Sequence, residues 1–323
     1  MKIVAAEIDS VGNDIDYSEL EGLGDVTFYK DKITPENAAE RLTGIEILCI
    51  NKSKITPEIL DKAPDLKLIC EFATGFDNVD IKACSERGIK VANVAGYSTM
   101  SVAQHTFALL LYIMESLKEY DEFVKSGEFA AQEHFCKLDI PFHEIDGLTW
   151  GIIGMGNIGS KVAQIATAFG AKVIFYSASG RCEHTEKDAQ YEMVSFDELL
   201  KRSDILSLHC PLTDNTRNII DKAALQKMKK SAILINVARG PVVNEEDLTQ
   251  ALLTGEIAAA GLDVLTVEPM RKDSPFLQIQ DSKKLFITPH MAWASVEARS
   301  RCVGEVAKNI VAFRNGEERN IVN

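Results

Sequence analysis

Three polar residues each follow a short apolar run in the last third of the chain. They are Arg239 in Asn236-Val237-Ala238-Arg239-Gly240, Glu268 in Val267-Glu268-Pro269, and His290 in Thr288-Pro289-His290. A guanidinium forks onto a carboxylate through two parallel hydrogen bonds. A histidine beside a glutamate carries a proton near neutral pH. Upstream lies a glycine-rich turn, Gly154-Met155-Gly156-Asn157-Ile158-Gly159. Where such a turn opens a helix, it holds a pyrophosphate. Together these parts suit hydride transfer between a nicotinamide and a 2-oxo or 2-hydroxy acid.

Groups of this kind need strands to hold them. Short β-rich runs alternate with helical stretches almost from end to end, which implies parallel sheets covered by helices on both faces. The runs Lys2–Ala6, Glu46–Ile50, Leu66–Glu71 and Lys90–Asn93 read as strands of a first series, with Ile81–Arg87 a helix among them. A second series follows at Thr149–Ile153, Lys172–Tyr176, Ile205–His209, Ala232–Asn236, Ala258–Asp263 and Leu285–Thr288. Two long helices mark the joints. One runs from Ser101, read as its N-cap, to Leu117, and the other from about Ser295 to Asn315. The expected fold is therefore α/β, with two doubly wound parallel-sheet domains. A Rossmann dinucleotide-binding domain, 101–294, is inserted in a flavodoxin-like substrate domain, 1–100 plus 295–323, and the cleft between them is the default ligand site.

The bulk properties agree. A chain of 323 residues is long enough for two cores. A formal charge of −13 speaks against nucleic acid and anionic membranes as partners. The longest apolar run, Phe107 to Met114, is too short to span a bilayer, and the N-terminus lacks the pattern of a signal peptide. Seven cysteines, 49, 70, 84, 136, 182, 210 and 302, are scattered without a Cys-x-x-Cys pair. They read as reduced thiols of a cytoplasmic protein, with no metal site.

By itself Gly-x-Gly-x-x-Gly is a weak signal, but here its context is right. The strand Trp150-Gly151-Ile152-Ile153 precedes it, helix-like Lys161–Phe169 follows, and Lys172–Tyr176 completes a βαβ unit. Gly154, Gly156 and Gly159 permit the turn and let the backbone approach a pyrophosphate at the helix N-terminus. After the second strand comes Ser177-Ala178-Ser179-Gly180-Arg181, without the acidic residue that usually binds the ribose of NAD. Ser177, Ser179 and Arg181 could accept a 2′-phosphate; alternatively, Ser177 and backbone hold an unphosphorylated ribose in a solvated loop. The cofactor is thus NAD(H) or NADP(H).

In an open doubly wound sheet, ligands sit beyond the carboxyl ends of the strands. Arg239, Glu268 and His290 come from three separate strand ends at one edge. Singly, each has an ordinary alternative: a surface ion pair, a loop charge, a capping or core histidine. Their joint placement is what favours chemistry. Of the other histidines, 105, 134, 143, 184 and 209, none has a carboxylate in a matching strand-end position. His209 ends a strand at the same edge and is a candidate for the cofactor pocket.

With these residues in hand, the chain resembles the D-isomer-specific 2-hydroxyacid dehydrogenase family over almost its whole length. The glycine turn, His209-Cys210-Pro211-Leu212-Thr213, Asn236-Val237-Ala238-Arg239-Gly240, Gly261-Leu262-Asp263-Val264, Glu268-Pro269 and Thr288-Pro289-His290 carry the resemblance. It implies that Arg239 orients the substrate carboxylate and polarises the 2-oxo group. His290 would donate the proton, and Glu268 would hold the imidazole and favour its protonated form. Asp263 would contact the nicotinamide carboxamide, the backbone at Asn157 and Ile158 would meet the pyrophosphate, and His209, Cys210, Pro211, Thr216, Val237 and Ala238 would line the cofactor pocket. Amides around Thr74 and Gly75, in Ala73-Thr74-Gly75-Phe76-Asp77-Asn78-Val79-Asp80, would meet the substrate carboxylate. Gln104 stands where the family commonly has Glu.

The family also implies a homodimer through the cofactor domain, in keeping with Phe123, Phe129, Phe135 and Phe142 on the 117–147 segment. The segment Cys136–Pro141 and the run His290-Met291-Ala292-Trp293-Ala294 look most like the glycerate dehydrogenase (hydroxypyruvate reductase) branch. Trp293 would then limit the substrate to a small acid such as hydroxypyruvate or glyoxylate. The competing readings are a bulkier 2-oxo acid, phenylpyruvate or a branched-chain one, and a nucleotide-sensing protein of the corepressor kind.

Overall fold

The computed structural model describes residues 1–179 and 189–323; Arg181 lies outside the described residues. The chain divides into two compact units, Met1–Ser98 with Trp293–Asn323, and Thr99–Ala292. Each break falls two residues before the one read from the sequence.

The first unit is built on β1 (Lys2–Ala5), β2 (Asp25–Phe28), β3 (Ile47–Ile50), β4 (Leu68–Glu71) and β5 (Lys90–Ala92). All pairings are parallel and the order is β2-β1-β3-β4-β5. Alternate residues of each central strand enter different cores. Ile47 and Cys49 join the cluster sealed by Cys302, Val303, Val306 and Ile310 of the helix Val296–Arg314. Leu48 and Ile50 join the one sealed by Ala38, Leu42, Ala83 and Cys84. Burial on both faces is why these strands read as unbroken apolar runs. Strand β2 was not read from the sequence. It is an edge strand that starts on an aspartate and is only half covered, so it has no apolar run to betray it.

The second unit holds β6 (Thr149–Ile153), β7 (Lys172–Tyr176), β8 (Glu192–Met193), β9 (Ile205–Leu208), β10 (Ile233–Asn236), β11 (Ala259–Leu262) and β12 (Leu285–Ile287). They form a parallel sheet in the order β8-β7-β6-β9-β10-β11-β12. The chain starts at β6 and winds first one way and then the other, so the order reverses between β6 and β9. That reversal is where doubly wound sheets open a ligand crevice. β8, two residues at the edge, was not read from the sequence.

The helix expected over Ser101–Leu117 runs Thr99–Met114. Ser101 lies inside it, two residues past its start, and is not its N-cap; its hydroxyl donates to Ala292 O at 2.6 Å. Ser116, at φ 50, ends the run, and a new helix, Leu117–Lys125, begins. Phe129, Phe135 and Phe142 are exposed as expected. Phe123 is not: it is half-buried against Phe129 and under the Lys137 ammonium.

Among the described residues no helix is long and apolar enough to cross a membrane. Cys49, Cys70, Cys84, Cys210 and Cys302 are free and buried. Burial pushes the Cys84 and Cys210 thiols up to about 11, which keeps them protonated and unreactive.

Candidate active site

The glycine turn sits at the reversal point of the second sheet, and its glycines do different work. Gly154 has φ 94, a left-handed conformation, and a Cβ there would lie 2.8 Å from Cys210 N at the end of β9. A Cβ on Gly159 would lie 2.1 Å from Gly154 O, so the helix can approach the turn only without a side chain. Gly156 faces open space. The helix Asn157–Ala168 begins at Gly156 with no side-chain cap and no acidic residue in its first turn. Its positive end is therefore not neutralised from within, as an anion site requires. Ser177 is the first residue past β7, and its hydroxyl is 3.2 Å from that of Ser179.

Across the reversal, Trp150 Nε1 donates to Ser207 Oγ at 2.8 Å, and His209 Nε2 lies 3.0 Å from the same oxygen. His209 Nδ1 is buried and has no hydrogen-bond partner among the described residues. Burial lowers the imidazole to about 3, so it is neutral. An orphaned ring nitrogen, a glycine cradle and an uncapped helix end on adjacent strands fit a dinucleotide. Thr216 does not reach toward that cradle as expected. It is 1% exposed, accepts from Thr213 N and donates to Pro211 O, both at 2.7 Å. Its hydroxyl is used up in shaping the 211–216 loop.

The catalytic candidates come from β10, β11 and β12, which are neighbours in level register: Asn236 opposite Leu262, and Leu262 opposite Ile287. Arg239, Asp263 and His290 lie just past those ends. Adjacent strands are about 4.8 Å apart, so the ends of β10 and β12 are roughly 10 Å apart with Asp263 between. The Asn236 amide folds the first turn by accepting from Ala238 N and donating to Arg239 O, both at 3.0 Å. This tucks Val237 and Ala238 inward, each 8% exposed, and leaves Arg239 half-buried with Nη1 on Ala238 O.

His290 adopts φ 56, a conformation uncommon outside glycine. Its amide donates to Asp263 O at 2.8 Å and Thr288 O at 3.0 Å. Its Nδ1 lies 2.7 Å from Glu268 Oε2, while Glu268 Oε1 accepts from Leu265 N at 2.9 Å. An ionised carboxylate only accepts, so Nδ1 bears hydrogen and Nε2 is the nitrogen left for chemistry. Gly240 brings the arginine turn against the glutamate loop: a Cβ there would lie 1.9 Å from Leu265 C. That close approach was not apparent in the sequence.

Asp263 was expected to contact the nicotinamide. In the structure its carboxylate goes to the turn that carries His290. It is 1% exposed; Oδ1 accepts from Thr288 Oγ1 at 2.6 Å and Met291 N at 2.8 Å, and Oδ2 accepts from Ala292 N at 2.8 Å. Burial pushes the carboxyl up, but hydrogen bonds from His105, Thr288, Ala292 and Met291 outweigh it and hold it below the usual range. His105 was set aside for want of a strand-end carboxylate. It has one: Nε2 is 3.4 Å from Asp263 Oδ1 and 2.9 Å from Thr288 Oγ1. The available signal was its spacing of four from Ser101, which puts both on one helix face.

In the first unit, Thr74 follows β4. Its hydroxyl donates to Val94 O at 2.8 Å and its carbonyl accepts from Asn93 Nδ2 at 2.7 Å, which fixes the turn of exposed Thr74 and half-buried Gly75. Trp293 is half-buried, edge-on to Tyr97 at 6.5 Å and packed on the unit's core.

A proton carrier with a fixed tautomer, an arginine two strands away and a dinucleotide cradle on the same sheet are the parts of a nicotinamide-dependent reductase. Comparison with known proteins agrees. Residues 107–292 match the family model "D-isomer specific 2-hydroxyacid dehydrogenase, NAD binding domain". The chain is 38% identical to a hydroxypyruvate reductase of Blautia hydrogenotrophica, over 96% of this chain and 95% of the relative. It is 40% identical to a glycerate dehydrogenase of Methylorubrum extorquens, over 91% and 90%. The structure of D-lactate dehydrogenase from Aquifex aeolicus, complexed with NAD and lactic acid, superposes with a TM-score of 0.83 at 32% identity, over 98% and 96%. This chain belongs to the D-isomer specific 2-hydroxyacid dehydrogenase family and is an NAD(P)-dependent oxidoreductase.

Proposed function

We propose that the chain reduces a small 2-oxo acid, hydroxypyruvate or glyoxylate, to the D-2-hydroxy acid. The observation that carries this reading is the His290–Glu268 pair at 2.7 Å, on the sheet edge that also presents Arg239. The glycine turn and the start of the helix Asn157–Ala168 would hold NADH or NADPH, which when bound would supply the hydride for the substrate's C2. Arg239 takes the carboxylate through its two-pronged guanidinium and draws electron density from the 2-oxo oxygen. His290 holds at Nε2 the proton that this oxygen takes up, while Glu268 keeps hydrogen on Nδ1 and the ring oriented. The pair is about a third exposed, so the imidazole regains its proton from water. The names of the relatives support hydroxypyruvate and glyoxylate, and a bulky Trp293 is compatible with a small substrate.

The test is reduced-nicotinamide oxidation with a panel of 2-oxo acids. Hydroxypyruvate or glyoxylate should show the highest kcat/KM. A far higher value for phenylpyruvate or 2-oxoisocaproate would move the assignment to an apolar pocket.

The same reading includes a cytoplasmic homodimer. Phe135 at 92% exposure and Leu138 at 84%, with Phe142 and Val124 nearby in sequence, support a partner surface on the 117–147 segment. The buried free thiols support a reducing compartment. A monomer mass by light scattering at micromolar concentration would exclude the dimer.

A further inference from the structure

The helix Thr99–Met114 grips both ends of the turn that carries His290. At one end Ser101 Oγ donates to Ala292 O at 2.6 Å, and one helical turn later His105 Nε2 lies 2.9 Å from Thr288 Oγ1. The direction of the protons follows from the distances. Asp263 is ionised and only accepts, so Thr288, at 2.6 Å, spends its single hydroxyl hydrogen on Oδ1. Thr288 Oγ1 then has only lone pairs to offer His105, and Nε2 must donate. The chain runs from His105 Nε2–H to Thr288 Oγ1–H to Asp263 Oδ1. Asp263 in turn receives the amides of Met291 and Ala292, the two residues after His290, and its carbonyl receives the amide of His290 itself. A left-handed histidine persists only where its surroundings over-determine it, and these bonds do so from both sides.

We infer that His105 is a positioning residue for proton donation: through Thr288 and Asp263 it sets where the His290 ring stands against Glu268. The inference rests on His290 being the proton donor. Glutamine at 105 places an amide N–H at a reach similar to Nε2, whereas leucine fills the space without a donor.

The experiment compares wild type, His105→Leu, His105→Gln and His290→Ala in hydroxypyruvate reduction. It records kcat, KM for NADH, the melting temperature, and the isotope effect on kcat with NADH deuterated at the transferred position. His105→Leu should lower kcat by roughly 10-fold or more, as a misplaced catalytic group does. KM for NADH should stay within about twofold, and the isotope effect should rise as the chemical step becomes slower. His105→Gln should recover kcat to within about threefold, with an isotope effect near that of wild type. Three results would overturn the inference: His105→Leu with unchanged kcat, a loss of kcat with an unmoved isotope effect and a lower melting temperature, or His105→Gln as impaired as His105→Leu. A His290→Ala variant as active as wild type would instead remove the parent assignment.

Discussion

Substituting Gly240 by alanine tests how tightly the two catalytic loops are joined. The new Cβ would lie 1.9 Å from Leu265 C, 2.1 Å from Leu265 O and 2.3 Å from Thr266 N, all backbone atoms that no rotamer change can move away. Ordinary contact begins at 3.4 Å, so the loops must separate by 3.4 − 1.9, or about 1.5 Å. Leu265 N is the donor that holds Glu268 Oε1 at 2.9 Å: a clash relieved at Leu265 alone breaks this bond, and one relieved by moving the whole loop displaces Glu268 from His290. Losing a hydrogen bond to a charged group costs about 1.5–3 kcal/mol. A misplacement of about 1 Å near the chemistry costs on the order of 100-fold in rate. The first route places the fall in kcat/KM at about 10- to 150-fold and the second at about 100-fold. The assay is steady-state hydroxypyruvate reduction, with circular dichroism and NADH binding as controls, because the glycine cradle lies on a different strand. A folded Gly240→Ala protein with wild-type kcat/KM would refute the claim that this contact sets the Arg239–Glu268 geometry.

Other outcomes follow from the same geometry. Arg239→Ala should lower kcat/KM by an amount equivalent to about 2–5 kcal/mol while NADH affinity holds; a drop confined to NADH binding would reassign the residue. Ser177→Asp places a carboxylate at the end of β7, so the NADH/NADPH preference should move toward NADH by like-charge repulsion; an unchanged ratio would show that Ser177 is not at the ribose. His209 is neutral when folded, lowered to about 3, and titrates near 6.5 when unfolded. The unfolded chain therefore binds the extra proton, so this stability is complete above about 6.5 and is lost as pH falls toward 3. At pH 5 the loss is about 2 kcal/mol. Urea midpoints of wild type and His209→Gln should therefore draw together by that amount between about pH 7.5 and pH 5; a constant gap would contradict it.

Much of the fold was legible because most of these parallel strands are short apolar runs that end where chemistry begins. Asn236, Leu262 and Ile287 end such runs, and Arg239, Asp263 and His290 stand just beyond them. Strands β2 and β8 were not legible: β2 starts on an aspartate and is only half covered, and β8 is two residues long, so neither makes an apolar run. The site's members could be read, but not the contacts that bind them. That His105 meets Thr288 and Asp263, that Gly240 touches the backbone at Leu265, and that Thr216 turns inward are through-space facts set by sheet order and loop path. Ser101 was misread for a related reason. A hydroxyl near a helix start suits an N-cap, but only the position of Ala292 decides that it donates outward.

The most direct test of the central claim is kcat for hydroxypyruvate reduction by His290→Ala, measured beside its dissociation constant for NADH. General acid catalysis contributes about 10²–10⁴-fold. The account predicts a fall in kcat within that range, with NADH affinity unchanged. A folded His290→Ala protein that turns over near the wild-type rate would contradict it.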